Sequence, residues 1–140
     1  MRDESIPVVV IIGSGFCGMM TAVNLFQSPV PLKIVIINEG YPFGKGVAYS
    51  AYSEKYLLNM RAINMSAYAD MPQHFLDWVC ALDKYSGVPK SIMTNAYVPR
   101  KIYGDYLSSV WSHALQIKNE WMHVECINAK AIDINAYTDH

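Results

Sequence analysis

The sequence has no run of lysines or arginines and no excess of charge of either sign. Eleven basic and twelve acidic residues leave a formal net charge of −1, and charged residues make up 16% of the chain. Nucleic-acid-binding domains carry a basic patch or stripe, so this composition gives no indication of such a partner. No stretch approaches the roughly 18 consecutive apolar residues of a membrane-spanning helix. We therefore predict neither a nucleic-acid nor a membrane partner.

Cysteine is also scarce, with only Cys17, Cys80 and Cys126. An odd number of widely spaced cysteines without a C-x-x-C pair excludes a disulfide framework and a common zinc pattern. Metal-ligand spacing is likewise missing among His113, His123 and His140, so we predict no metal. The first residues, "MRDES", carry two acids against one arginine, unlike a signal peptide. Together these features predict a cytoplasmic protein with reduced thiols.

Apolar residues, by contrast, are abundant. They make up 52% of 140 residues, enough for one compact domain. Val8–Ile12 is continuously β-branched and predicts a fully buried strand, and helical spacing predicts a helix from Phe16 to about Gln27. "LKIVIINE" predicts a second strand over Leu32–Glu39. Residues 7–39 therefore form a βαβ unit with parallel strands, which predicts an α/β, Rossmann-like fold.

The remainder of the chain is less regular. Residues 40–70 sustain neither the helical nor the strand period, which predicts a long irregular insertion of the kind that carries function. Apolar spacing predicts helices at about 72–83 and 99–119, separated by a loop, and Gly104 within the second indicates a packing requirement. Alternating residues predict one or two terminal strands over about 121–135.

Three glycines follow the first strand as G-x-G-x-x-G, at Gly13, Gly15 and Gly18. In dinucleotide-binding βαβ units the first glycine allows a tight turn and the second admits a pyrophosphate close to the backbone. The third lets the helix pack near the strand. The amides at the start of the helix and its positive dipole end then face the phosphates. The motif therefore predicts an anion-binding turn between strand and helix.

Glu39 strengthens this interpretation because it closes the second strand, about 20 residues beyond Gly18. A carboxylate there accepts hydrogen bonds from a ribose 2′-hydroxyl and repels a 2′-phosphate. The alternative is a glycine-rich turn without a ligand and a solvated Glu39. Ser14 lacks the G-x-S-x-G frame of a nucleophile and is not predicted to be catalytic. These residues indicate an adenine dinucleotide without specifying which one.

Four blocks of the sequence, the fingerprint among them, resemble the FAD-NAD(P)-binding protein family. The resemblance is to the N-terminal, FAD-binding portion of flavoproteins with two dinucleotide-binding domains. The four blocks are the fingerprint from Gly13 to Glu39, "GKGVAYS" (44–50), "LLNMRAINMSAYADMPQHFLDW" (57–78) and "YVPRKIYGDYL" (97–107). The blocks occur in the family's order and cover Val8 to about Leu107. Two departures are Met60-Arg61 in place of Val-Pro and Cys17 in place of a small serine.

The resemblance implies FAD as the cofactor and NAD(P)H as the co-substrate of a flavoprotein oxidoreductase, which is monooxygenase-like. It places the pyrophosphate on the three motif glycines and on the amides of Ser14, Phe16 and Cys17, and it places the adenosine ribose on Glu39. It also implies cofactor contacts from the following residues: Gly44, Gly46, Asn59, Asn64, Met65, Ser66 and Arg100. The alternatives are ordinary turn glycines at 44 and 46, and a surface Arg100 that is paired with Asp105 or left in water.

Family members are several hundred residues long, so the resemblance implies that residues 1–140 form a partial FAD/NAD(P)-binding domain. Two other functions stay open. One is the NAD-binding domain of a dehydrogenase, which the long 40–69 insertion disfavours because a simple Rossmann chain continues promptly with its next βα unit. The other is a truncated, non-catalytic nucleotide-binding fragment. The substrate and the catalytic residues are not predicted.

Overall fold

The computed structural model describes residues 5–137, so the "MRDE" start and His140 lie outside the described residues. Three strands form one sheet in the order β1-β2-β3: β1 is Val8–Ile12, β2 is Leu32–Asn38 and β3 is Met122–Asn128. Both strand pairs are parallel, with Val8 opposite Lys33 and Leu32 opposite Met122. This confirms the predicted α/β, Rossmann-like fold with a parallel sheet.

The helices are α1 (Phe16–Leu25), α2 (Gly46–Tyr49), α3 (His74–Cys80), α4 (Lys90–Thr94) and α5 (Arg100–Ile117), with short 3-10 helices at Ala62–Asn64 and Asp83–Tyr85. The helix α1 connects β1 to β2 and packs against α5. The long helix α5 precedes β3. The helix α1 thus forms the connection between β1 and β2, and the long segment that ends in α5 forms the connection between β2 and β3.

The core lies between one face of the sheet and these helices. Alternate residues of β2, among them Ile34 and Ile36, are buried there, together with Met19 of α1 and with Phe26, which directly follows α1. Phe26 also packs against Trp111 of α5, with ring centroids 5.4 Å apart. Burying side chains of this size stabilises the fold by about 1.5–3 kcal/mol each relative to exposure.

The opposite face of the sheet corrects the prediction for β1. Val8, Val10 and Ile12 are 54–57% exposed, whereas we expected the whole strand to be buried. The reason is that, within residues 5–137, α1 and α5 cover only the face that carries Ile11. A continuously apolar strand predicts burial on both faces, but neighbouring elements decide which faces are covered.

Between β2 and α5 the structure contains more helix than the sequence predicts. The irregular segment encloses α2 and the 3-10 helix Ala62–Asn64, and the expected loop before α5 contains α4 and the second 3-10 helix. These pieces are three to five residues long, too short for a periodic apolar pattern. At the other end, β3 is the single strand found in the predicted 121–135 region.

A buried cluster of aromatic residues holds the irregular segment against α3 and α5. The hydroxyl of Tyr106 accepts a hydrogen bond from the amide of Ala67 (3.1 Å) and lies 2.8 Å from Nδ1 of His74. A hydroxyl group can donate one hydrogen bond and accept two, so Tyr106 can hold both partners at once. This arrangement fixes the segment just before α3.

Candidate functional site

The glycine turn between β1 and α1 is open where the first two motif glycines lie. Gly13 has a φ of +90°, and no atom lies within 4 Å of the position that a Cβ there would occupy. At Gly15 the nearest such atom is the Cα of Gly46 at 3.9 Å, an ordinary van der Waals contact. The turn therefore leaves free space beside its backbone at both positions.

The third motif glycine is enclosed. A Cβ at Gly18 would collide with the carbonyl oxygen of Gly13 and would lie 3.2 Å from Cγ2 of Ile11. The helix α1 thus approaches β1 more closely than any residue with a side chain allows. This is the role in helix-to-strand packing that the motif assigns to its third glycine.

The first turn of α1 presents amide groups without a partner inside the helix. The first helical bond runs from the Met19 amide to the Gly15 carbonyl (3.0 Å), and no side chain caps the helix at Gly15. The amides of Phe16, Cys17 and Gly18 consequently have no intrahelical acceptor, and the positive end of the helix dipole lies among them. Such an end favours a negatively charged group.

Ser14 has a different environment from its neighbours in the turn. Its amide donates to Oδ1 of Asn38 (3.2 Å), and its carbonyl accepts from the Gly44 amide (2.7 Å). Its side chain is buried, and its hydroxyl has no hydrogen-bond partner within residues 5–137. The amide of Ser14, which we expected to contact the pyrophosphate, is therefore engaged with β2.

The loop 44–46 packs directly against the glycine turn, which gives Gly44 and Gly46 a structural role. A Cβ at Gly44 would lie 2.5 Å from Sδ of Met19, and one at Gly46 would lie 3.1 Å from the Cα of Gly15. Both glycines also have positive φ angles. The backbone of this loop thus forms a wall of the open turn.

Glu39 lies at the carboxyl end of β2, beside a cavity of about 410 Å³. It is exposed, and its neighbours in the chain, Asn38 and Gly40, line the cavity together with residues of the loop after β2 and of the end of β3. Parallel α/β sheets bind their ligands outside the carboxyl ends of the strands. The carboxylate, the cavity and the glycine turn are all at this edge.

The remaining predicted residues are not all gathered at the turn. Asn59 is exposed and lies in the segment beside α5, and Ser66 uses its hydroxyl in a local turn with Tyr68 and Met71. Arg100 begins α5, and its Nε donates to the Leu57 carbonyl (3.1 Å). Asp105 pairs instead with Lys45 at 2.8 Å, so the alternative pairing of Arg100 with Asp105 is wrong.

Sequence reasoning missed Asn38, which links the glycine turn to the loop after β2. Its Oδ1 accepts from the Ser14 amide, and its Nδ2 donates to the Tyr41 carbonyl (2.8 Å). The signal was present, because Asn38 is the only polar residue in the run Ile34–Asn38 and directly precedes Glu39. A carboxamide can donate and accept at once, which suits a position between two loops.

A comparison with protein families matches residues 10–140 to the FAD-NAD(P)-binding family model. The chain belongs to this family. The match covers nearly the whole chain, including the glycine turn, Glu39 and Arg100. Among curated proteins the chain has no significant match. Membership of the FAD-NAD(P)-binding family confirms the resemblance seen in the sequence and supports binding of a flavin or nicotinamide dinucleotide.

The described residues offer neither a metal centre nor a membrane-spanning helix. No group of three or more His, Cys, Asp or Glu side chains within residues 5–137 is placed to hold a metal ion. Over the same residues, no helix combines the length and apolar character needed to cross a membrane. The open glycine turn lies within the residues that the family model matches.

Proposed function

We propose that this chain binds FAD at the glycine turn and serves as the FAD-binding portion of an NAD(P)H-dependent flavoprotein oxidoreductase with monooxygenase-like chemistry. The observation that carries the proposal is the free space at Gly13 and Gly15, next to helix-start amides that have no acceptor within α1. A pyrophosphate supplies acceptor oxygens for these amides and negative charge for the positive end of the helix dipole.

The residues of the turn would divide the binding between them. The amides of Phe16, Cys17 and Gly18 would donate to the pyrophosphate, while Gly13 and Gly15 keep side chains out of its way. Glu39 would accept hydrogen bonds from the adenosine ribose, and the cavity beside it offers space for the adenine. Gly44 and Gly46 would support the wall of the turn rather than contact the cofactor through side chains.

Bound FAD supplies hydride and electron transfer, while the protein sets its orientation and access. Asn59 and Ser66 remain proposed contacts of the flavin end, on the family pattern alone. Ser66 is half-buried, and its hydroxyl already holds the turn at Tyr68 and Met71. A cytoplasmic location is part of the same proposal, supported by the three free cysteines.

The direct test is to purify the full chain, incubate it with FAD or with NADH, and remove unbound ligand. We expect the FAD sample to retain an absorption band near 450 nm, roughly where oxidised flavins absorb. Retention of NADH with no retention of FAD would instead support the NAD-binding domain of a dehydrogenase. A chain that retains neither would contradict the proposal.

A matched pair of variants tests the contribution of Glu39. We expect Glu39→Ala to weaken FAD binding by about tenfold, because hydrogen bonds to a charged acceptor contribute about 1.5–3 kcal/mol. Glu120→Ala removes an acid at an exposed position just before β3 and should leave the affinity unchanged. Equal affinities for Glu39→Ala and Glu120→Ala would show that the acid at 39 does not hold the ribose.

A further inference from the structure

A groove between α2 and the start of α5 has two cationic residues, Lys55 and Arg100, in its lining. Its volume is about 550 Å³, and its walls include Val47, Lys55, Leu57 and Arg100. The groove is separate from the cavity beside Glu39, which is lined by other residues. Its walls thus combine apolar surface with positive charge, a combination typical of sites that orient a small ligand.

Arg100 is held firmly at the edge of this groove. Its amide donates to the Tyr56 carbonyl (2.8 Å), and its Nε donates to the Leu57 carbonyl (3.1 Å). Leu57 and Pro99 also form an isolated antiparallel bridge. With Nε occupied, the two terminal nitrogens of the guanidinium have no hydrogen-bond partner within residues 5–137, and they form a fork suited to an oxyanion.

No carboxylate in the described part of the chain neutralises these two cations. The two acids nearest to them in the sequence are engaged elsewhere: Glu54 pairs with Lys84 at 2.5 Å and Asp105 pairs with Lys45 at 2.8 Å. Arg100 is half-buried, and no carboxylate within residues 5–137 pairs with its guanidinium group. The groove therefore has a surplus of positive charge.

The groove also adjoins the glycine turn. Val47 follows Gly46, whose Cα packs against Gly15. Tyr49 lies on the same short helix as Val47. Burial raises the pKa of the Tyr49 hydroxyl, while the Arg100 charge acts in the opposite direction. An anion held by Arg100 would consequently lie near a ligand in the turn.

We propose that this groove binds an oxyanion, a phosphate or carboxylate group, through the terminal nitrogens of Arg100 and the ammonium group of Lys55. The anion belongs either to the dinucleotide itself or to a second ligand bound beside it. The statement that the anion lies beside a dinucleotide rests on the proposed function. The statement that the groove binds an anion does not, because it rests on the contacts within the groove.

The test uses the full chain and inorganic phosphate, with ³¹P line broadening as the readout. We expect Arg100→Met to weaken phosphate binding by about tenfold or more and Lys55→Met by less, because the guanidinium donates from a fixed position. Lys101→Met removes the same charge at the next position of α5 and should change the affinity by less than about twofold. Lys55→Met keeps the Arg100–Leu57 hydrogen bond, so it remains informative if Arg100→Met unfolds.

Repeating the titration with FAD-loaded protein identifies the source of the anion. Competition between FAD and phosphate assigns the groove to a phosphate of the dinucleotide, and simultaneous binding assigns it to a second ligand; both outcomes support the site. Phosphate binding that depends on Arg100 in a chain that does not retain FAD would contradict the proposed function alone. Absence of phosphate binding, or an equal loss in Lys101→Met, would overturn the groove proposal.

Discussion

Glycine serves two opposite purposes in the glycine turn and in α5. At Gly18 and at Gly104 the space of a side chain is already filled, by the carbonyl oxygens of Gly13 and of Tyr49. At Gly13 and Gly15 it is empty or bounded only by an ordinary contact. The filled positions allow elements of the chain to pack closely, whereas the open positions leave room for something else. Within the glycine turn, this distinction separates Gly18, which allows close packing, from Gly13 and Gly15, which leave room for a ligand.

The largest expected effect is at Gly18. We expect Gly18→Ala to lower the free energy of unfolding by about 3 kcal/mol or more, because the new methyl group meets backbone that cannot move without separating α1 from β1. Urea unfolding of both proteins measures this difference. Gly87→Ala is the matched control, since no atom lies within 4 Å of its Cβ position, and it should change stability by less than about 0.5 kcal/mol.

Gly104→Ala should have a smaller effect. A Cβ there collides with the Tyr49 carbonyl, so we expect α2 to be displaced from α5, but alanine recovers about 1 kcal/mol of helix propensity. We predict a net loss of about 1–2 kcal/mol in urea unfolding. Ser112→Ala, at an exposed position of the same helix, should be neutral or slightly stabilising. If Gly104→Ala were more stable than the wild type, the backbone at Tyr49 would have to move away from α5 at little energetic cost.

Gly15→Ala should separate binding from stability. The site has room for the methyl group at 3.9 Å from Gly46, and the φ of −66° suits alanine, so we expect a change in stability below about 1 kcal/mol. The methyl group would occupy the space proposed for the pyrophosphate, so FAD affinity should fall by about tenfold or more. An unchanged FAD affinity in a folded Gly15→Ala protein would show that the open space at Gly15 is not used by the pyrophosphate.

The smallest expected effect is a pH dependence of stability that arises at His74, in the buried aromatic cluster. Burial lowers the pKa of His74 below its usual value of 6.5; Asp77 opposes this shift and His113 adds to it. Tyr106 and Tyr68 are the other titratable groups against its ring. Because the folded protein resists protonation at His74, its contribution to stability is present above pH 6.5 and is lost as pH falls below that value.

Unfolding in urea at pH 7.5 and at a series of lower pH values measures this loss. We expect His74→Gln to reduce the decline, whereas His123→Gln, at an exposed position of β3, should leave it unchanged. An identical decline in wild-type and His74→Gln proteins would show that other groups cause it.

The parts of the fold that could be predicted are those with a strong local pattern. The β-branched run of β1, the glycines and the apolar run of β2 define the βαβ unit almost to the residue, because each element is dictated by neighbours in the sequence. The short helices α2 and α4 could not be predicted, since one turn of helix has no period to detect. The exposed face of β1 was also missed, because coverage depends on distant elements.

The site shows the same division. The motif predicted the turn and the position of Glu39, but the role of Asn38 and the pairing of Asp105 with Lys45 depend on residues that are far apart in the chain. Gly44 and Gly46 were expected near the cofactor. Their contacts with Gly15 and Met19 became evident only from the packing of the loop.

The sequence by itself determined the strand, turn and helix that form the glycine turn, because β-branching, glycine and apolar spacing act over a few residues. It also determined the carboxylate at the end of β2. Only the tertiary structure decided which glycines are filled, which face of the sheet is covered and which cations lack an acid. Those properties arise from contacts between segments tens of residues apart, and no local pattern encodes them.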